Sequence, residues 1–460
     1  MKKIRGLGMR RIVVHVVTIF VGAILPTMVW AQETLSFKEA VKIGLQNNVT
    51  LNQQRQNLLQ SQVQKTSRIA QLGPQVSING DVGVRSGNNW IQNTGEVVNA
   101  TVDGASASLD VTMPIFNGLS GVNTARQASS QLDAQLELVN RSTQDVINLV
   151  SIQFLQVLLD QELLKIANEN LELQRKQLEQ VLAQVELGSR SPVDEYNQKA
   201  QVSNSELLVA QAEFNLVNDK ITLFQTLLVD PVIQPTLEEP GWDVNSIVLD
   251  NQDLTQLLEV ASSQRSDLKQ AQRTEEASRF SMISSKGNYM PSLNARYSFG
   301  SRYNQVRGVQ RDTSYRDFSN QFFTDNRYQS FGIGVSIPIF TGFQNRSTYV
   351  QSKVLYENNK IQTKNRDVIV KGDVVRAYRN FESIKKGYIA SADGLAASEM
   401  AFNLEKERYD LGVTSFVDFA TANRTYVQAQ TNLAQAKYRF LFQKILLDYA
   451  LGTLKFEDIP

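Results

Sequence analysis

One pattern occurs twice in this chain at a fixed spacing: Met113-Pro114-Ile115-Phe116-Asn117-Gly118 returns 224 residues later as Ile337-Pro338-Ile339-Phe340-Thr341-Gly342. The same offset carries Leu187-Gly188 onto Leu411-Gly412, Ser191 onto Ser415, Val193-Asp194 onto Val417-Asp418, and Ala210-Gln211-Ala212 onto Ala434-Gln435-Ala436. An offset held without insertion over about a hundred residues describes two copies of one unit, in equivalent positions of a pseudo-symmetric object. Whatever the chain folds into must accommodate that internal two-fold repeat.

The N-terminus reads as an export signal. Lys2, Lys3, Arg5, Arg10 and Arg11 precede an apolar run from Ile12 to Leu25, then Pro26 and the small residue Ala31. Cleavage after Ala31 is expected, and a retained signal anchor is the competing reading. Of the 47 lysines and arginines, five leave with residues 1–31, so 42 stand against 46 acidic groups, a net of −4. That balance argues against nucleic acid as a partner. The sole histidine, His15, lies in the leader, and the chain has no cysteine. Zinc sites, histidine-assisted nucleophiles, thiol chemistry and disulfides therefore lose their usual residues. No Gly-rich phosphate loop ending in Lys-Ser or Lys-Thr is present either, so no enzyme activity and no cofactor or metal is expected. After the leader no apolar run reaches about 20 residues, so a membrane-crossing chain would have to cross with strands.

Each half opens with a helix-compatible segment, Phe37 to Leu72 and Leu254 to Gly287, and then changes period. Val76, Ile78, Val82 and Val84 alternate with Ser77, Asn79, Asp81 and Gly83; Ala105, Ala107, Leu109, Val111, Met113 and Ile115 alternate with polar residues. In the second half Leu293, Ala295, Tyr297 and Phe299, then Phe331, Ile333, Val335, Ile337 and Ile339, follow the same rule. The reading is two hairpins, 75–116 and 291–340, of strands about ten residues long, the length that crosses an outer membrane at a tilt. A soluble sheet with one buried face would alternate in the same way. Polar loops expected at Ser86 to Ala100 and Tyr303 to Gln329, the second rich in Arg and Asp, favour the barrel. Four strands cannot close a barrel with room inside, so the edges imply oligomerisation.

From Gly118 to Glu186 a helical pattern runs 69 residues without proline, roughly 100 Å of helix at about 1.5 Å per residue. Leu164, Leu171, Leu178 and Val185 recur every seven residues, and 224 further on stand Tyr388, Leu395, Phe402 and Tyr409. Heptads of this kind mark packed helices, and a solvated bundle would display them equally. Glycine, then serine, then an aspartate three residues on, read at 187–194 and 411–418 as a helix end, a turn and a capped restart. Residues 229–250, with Pro231, Pro235, Pro240 and Gly241, break the pattern and read as a linker or small belt. The domains expected are thus a leader 1–31, a first repeat 32–228, the connection 229–250 and a second repeat 251–460.

These residues resemble the TolC family of outer-membrane efflux and secretion channels. The duplicated Pro-Ile-Phe-x-Gly, the duplicated Leu-Gly-x-x-Ser-x-Val-Asp and the element order carry the resemblance across nearly the whole mature chain. It implies a mixed α and β fold: a transmembrane β-barrel, four strands per chain closed by trimerisation, continuing into a long periplasmic α-helical barrel. It further implies a homotrimer in outer-membrane lipid, a periplasmic adaptor (membrane fusion) protein as partner and an inner-membrane transporter reached through that adaptor. The function implied is a passive conduit from pump to exterior in a tripartite efflux or type I secretion system, in a Gram-negative bacterium. Leu187, Gly188, Ser191, Leu411, Gly412 and Ser415 would meet the adaptor at the tip. Tyr409, Asp418 and Asp194 match the family's gate and acidic constriction. The family prototype has an arginine where Thr414 stands and an aspartate where Thr421 stands, so a gate ion pair would need Arg190 as a substitute.

Plainer roles fit the same residues. Asp418 is also a first-turn carboxylate beside a helix N-terminus, Tyr409 a heptad core residue, and Gly188 and Gly412 the residues a left-handed turn requires. A barrel-anchored coiled-coil surface protein is the alternative to a conduit. It would project outward, whereas both halves of this chain return from the turn toward the strands.

Overall fold

The structure is a computed structural model, and it describes residues 34–91, 95–232, 235–239, 241, 253–307 and 317–459. The expected leader lies outside them, as does most of the 229–250 connection.

The first half opens with α1 (Phe37–Asn47) and α2 (Val49–Ala70). They are two helices where one continuous segment was expected, because Asn48 leaves helical geometry and its side chain accepts the Leu51 N–H at 3.0 Å, starting α2 afresh. Strands β1 (Gln75–Ile91) and β2 (Glu96–Asn117) follow, then the long helices α3 (Ser120–Glu186) and α4 (Pro192–Leu227). In the second half α5 (Leu254–Gln264) and α6 (Ser266–Gly287) part at Arg265. Strand β3 (Ser292–Arg307), a short turn α7 (Phe318–Asn320) with a π-helical turn Gln321–Asp325, and β4 (Tyr328–Ser336) lead into α8 (Gln344–Asp410) and α9 (Phe416–Leu451). Each of α3 and α4 begins and ends 224 residues before α8 and α9 respectively. At 67 residues, α3 and α8 each extend about 100 Å.

The strands form one antiparallel sheet in the order β1-β2-β3-β4. Its register sets Ile78, Leu109 and Phe299 side by side on one face. On the other face Asp110 accepts from Asn79, Ser108 and Ser298 at 2.8, 2.6 and 2.6 Å, tying three strands together. The outer edges of β1 and β4 have no partner among the described residues.

Three strands exceed the expected ten residues, at 17, 22 and 16. Much of the polar stretch read as a loop at Ser86 to Ala100 is ladder, with pairs from Ser86↔Thr101 to Ile91↔Glu96. Ladder bonds are backbone bonds, so the pairing continues after the apolar alternation has stopped. Of the Tyr303 to Gln329 loop, residues 303–307 are strand and 308–316 lie outside the described residues. In the opposite direction β4 stops at Ser336, two residues before Pro338, leaving Ile337, Ile339 and Phe340 exposed beyond the ladder. Proline cannot donate to a ladder, and Ser336 already faces Ser292, the first residue of β3.

Strand turns into helix through two consecutive left-handed residues, Gly118 and Leu119 in one half and Gly342 and Phe343 in the other. At Gly118 a Cβ would also collide with the backbone of Gly287. Halfway along α3 lies the main core, where Val146, Val150, Phe154 and Leu158 meet α1, the end of α4, the end of α9 and the C-terminal Leu454 and Ile459. Leu35 pairs there with the connection, its N–H reaching Thr236 O at 2.8 Å. A second cluster joins α5, α6, α8 and α9 through Leu257, Leu268, Val370, Val374 and Leu451. Within α3 an 18-residue window of mean hydropathy 1.2 is apolar enough to cross a membrane, and half of it is buried inside this fold.

Of the expected heptad positions in α3, Leu171 is buried while Leu164, Leu178 and Val185 are half-buried. Beside them, together with Val181, a polar line is buried: Asn170, Gln174 and Gln177 of α3, Gln198 and Ser205 of α4, and Asn423 of α9.

Candidate functional site

Each long hairpin turns at the end remote from the sheet. In the first, Gly188 is left-handed (φ 73°), with its N–H on Val185 O at 2.9 Å and the Ser189 N–H on Gln184 O at 2.9 Å. Gly412 (φ 75°) repeats this with Tyr409 O at 3.0 Å, while the Val413 N–H reaches Arg408 O at 2.9 Å. Both are Schellman turns, which satisfy the carbonyls a helix end leaves over and favour glycine because the left-handed backbone crowds a Cβ. Restart follows by capping: Ser191 Oγ accepts the Val193 N–H at 3.2 Å ahead of α4, and Ser415 Oγ accepts the Asp418 N–H at 3.3 Å ahead of α9. Leu187 and Leu411 are 82% and 79% exposed at the extremity, so their apolar surface has no cover within the protomer.

Asp418 completes the cap. Its carboxylate accepts from Ser415 Oγ at 2.7 Å and Thr414 Oγ1 at 3.3 Å, and these hydroxyls, Ser415 first, hold its pKa below the usual aspartate value. Thr414 thus serves the carboxylate directly, while the exposed Thr421 donates to the Val417 carbonyl of its own helix at 2.7 Å. Asp194 sits half-buried in the first turn of α4, its N–H on Ser191 O at 3.0 Å.

Tyr409 is 2% exposed and belongs to an aromatic column inside the second hairpin. Its ring stacks on Phe419 at 4.7 Å, and Phe402 stacks on Tyr426 at 5.1 Å. Burial raises the phenol pKa, against the opposing pull of a cation from the other hairpin. That cation is Arg190, whose Cζ lies 3.8 Å from the ring centroid and whose Nη2 donates to the Tyr409 carbonyl. Among the described residues Arg190 makes no ion pair. Within the protomer it joins the two hairpins through an aromatic residue.

Two further links were not anticipated from the sequence. Gln177 donates to Asp410 Oδ1 at 3.3 Å, and Asn423 of α9 donates to Asn170 Oδ1 of α3 at 3.1 Å. Asn170 also donates to Ser205, and Gln198 to the Gln174 carbonyl at 3.0 Å. An amide side chain carries no apolar period, so heptad reading overlooks such a seam; Asn and Gln recurring at heptad-adjacent positions were the available signal. No cluster of His, Cys, Asp or Glu among the described residues is arranged to hold a metal.

Two sheet edges without a partner among the described residues, two helices each about 100 Å long and duplicated remote turns describe an elongated molecule with its sheet at one end. The pattern of one known family, described as outer membrane efflux protein, matches residues 41–227 and 257–453, one match in each half. The chain belongs to that family. An outer membrane efflux protein acts in transport at the outer membrane, and the family is not one of enzymes. The outer membrane protein TolC of Vibrio cholerae serotype O1 is 22% identical over 451 residues, 96% of each chain. Among solved structures, the outer membrane channel CmeC of Campylobacter jejuni superposes with a TM-score of 0.79 at 15% identity, covering 91% of this chain and 85% of its own. The outer membrane protein VceC of Vibrio cholerae gives 0.79 at 15% identity, covering 90% and 96%. These superpositions match the mostly helical fold with its small antiparallel sheet to those channels.

Proposed function

We propose that three copies of this outer membrane efflux protein pair β4 of one protomer with β1 of the next, closing a twelve-stranded barrel above a twelve-helix periplasmic tunnel. One observation carries the reading: a four-stranded sheet, apolar on one face and without a partner at either edge among the described residues, joined end-on to two 67-residue helices. Closure by symmetry removes the exposed edges and gives the apolar face to lipid. The two repeats, 32–228 and 251–460, then occupy alternating positions around one axis.

The conduit is passive, driven by an inner-membrane transporter through a periplasmic adaptor. The exposed turns, with Leu187, Gly188, Ser191, Leu411, Gly412 and Ser415, form the adaptor-contacting tip. Asp418 from three protomers forms an acidic ring that favours cations, with Asp194 beside it, and Arg190 on Tyr409 holds each protomer's hairpins together in the closed state.

Oligomeric mass of the detergent-extracted protein, followed by planar-bilayer conductance of the same fraction, tests this. A trimer forming small cation-selective channels supports it; a monomer or dimer without conductance overturns it. Antibody access to the Gly188 turn on intact cells separates the conduit from an outward coiled-coil stalk, since a conduit keeps that turn in the periplasm.

A further inference from the structure

Strand β3 outruns its neighbour. The last β3–β4 pair is Gly300↔Tyr328, yet β3 continues to Arg307. Residues 317–326 fold back over the stretch that β4 leaves uncovered. Asn326 donates to Arg302 O at 2.8 Å, Gln321 Oε1 accepts the Asn304 N–H at 3.4 Å, and Ser301 Oγ donates to the Phe322 carbonyl. On this frame stands an aromatic cluster. Phe318 meets Tyr303 at 5.0 Å and stacks on Phe322 at 5.1 Å, and Phe323 meets Phe322 at 5.3 Å. Phe318 and Phe323 remain 44% and 61% exposed.

Tyr303 places the cluster relative to the apolar face. It shares a face with Leu293, Ala295, Tyr297 and Phe299, and with Ser301, whose hydroxyl donates to the Phe322 carbonyl; Tyr303 lies opposite Ala105 of β2. Beyond it on the same face the next pair is Gln305↔Asp103, and Asp103 is bridged to Arg307 at 2.7 Å. The apolar row therefore ends at Tyr303. From Leu293 to Tyr303 are ten strand steps, which at about 3.3 Å each and a tilt near 40° rise about 25 Å, the height of a barrel's apolar band.

We propose that the aromatic turn 318–323 is an interfacial anchor whose partner is a lipid surface, lying at the boundary between acyl chains and headgroups of the outer leaflet. This rests on the barrel reading above. Aromatic rings favour that boundary because it accepts apolar area while leaving the backbone near water. A second copy of the chain is the competing occupant: its β1, at 17 residues, would outrun β4 and pass the turn's backbone along the sheet edge. The rings themselves stand on Tyr303, over the face and out of that plane, and this favours lipid.

The chain has no cysteine, so Phe323→Cys and Ile333→Cys can each carry an NBD label in proteoliposomes containing nitroxide lipids. Ile333 lies mid-row on β4, opposite Ala295, and is the membrane reference. The Ile333 label is expected to be quenched most by deep-chain nitroxides, and the Phe323 label to be blue-shifted and quenched most by headgroup-proximal ones. Phe318→Cys repeats the reading independently. Water-like emission at 323 and 318 with normal quenching at 333 overturns the anchor and leaves the barrel standing. Blue-shifted emission at 323 that no nitroxide quenches assigns the cluster to a protein contact and also overturns it. Absence of quenching at 333 removes the barrel reading, and the anchor with it.

Discussion

Arg190 and Tyr409 are joined twice: the guanidinium lies over the ring at 3.8 Å, and its Nη2 donates to the carbonyl of the same residue. That carbonyl also accepts the Gly412 N–H at 3.0 Å, so the first hairpin grips the hydrogen bond that closes the second hairpin's turn. A cation over a partly desolvated ring contributes about 0.5–2 kcal/mol. Arg190→Ala is expected to loosen the two hairpins and raise single-channel conductance in planar bilayers. Arg190→Lys should behave like the alanine variant, because an ammonium has no planar fork to stack and donate together. Conductance equal to wild type in both variants would reject a role for this pair in closure.

For Asp418 the expected change is in selectivity. Asp418→Asn leaves the Ser415 cap able to form yet removes the charge, so cation preference and block by multivalent cations should fall while conductance persists. The Ser415 and Thr414 hydroxyls keep the carboxyl below its ordinary value. The charge is therefore present above the usual aspartate range and is lost only as pH falls through the lowered value. Reversal-potential titration from neutral to acid checks this, and selectivity that disappears near neutrality contradicts it.

Gly188 and Gly412 hold the left-handed positions of the two turns, where a Cβ costs about 1–2 kcal/mol. Nothing lies within 4 Å of the added carbon at either site, so backbone strain, not collision, sets the cost. A bulky residue at either turn is expected to leave trimers intact and abolish adaptor-dependent efflux. Normal efflux in a drug-accumulation assay would remove these turns from the docking tip.

Asp160 of α3 is 4% exposed; Gln156 donates to its Oδ1 at 3.1 Å, and its Oδ2 is unsatisfied. Burial, and then Asp219 of α4, push its pKa up to about 7. A carboxyl that binds its proton more tightly when folded loses stabilising effect as pH rises from about 4 through about 7. Asp160→Asn mimics the protonated form and should flatten that stretch of the stability curve, with a higher Tm than wild type at pH 8. Parallel melting curves for the two proteins at pH 5 and pH 8 would show that Asp160 does not titrate in this window.

How far the fold could be read from the sequence depended on which force left a mark in side-chain type. Turns at 188 and 412 were legible because only glycine tolerates their backbone cheaply, and capping needs Ser and Asp at set distances. Helix ends at 186 and 410 followed from those turns. The apolar face of the sheet was legible too, as Ile78, Leu109 and Phe299 show, because alternation reports exposure to an apolar environment. Strand length was not: Ser86 to Ile91 pair through backbone groups that carry no sequence signal. Nor was the partner of Arg190, since charge alone suggested an aspartate and only the folded neighbourhood offered an aromatic face. The amide seam from Asn170 to Asn423 escaped for a related reason, its members being polar residues that ordinarily face water.

The aliphatic clusters lie around Val150 and Val374, part-way along the long helices, while toward the remote end burial falls to one aromatic column, a line of amides and isolated aliphatics such as Val181. With most aliphatic burial at the waist, the foot is expected to yield before the waist does. Amide contacts can be exchanged for water at small net cost, because water offers the same donors and acceptors. A partner bound at the foot is thus expected to swing the helix ends as levers about the waist, leaving the aliphatic clusters intact.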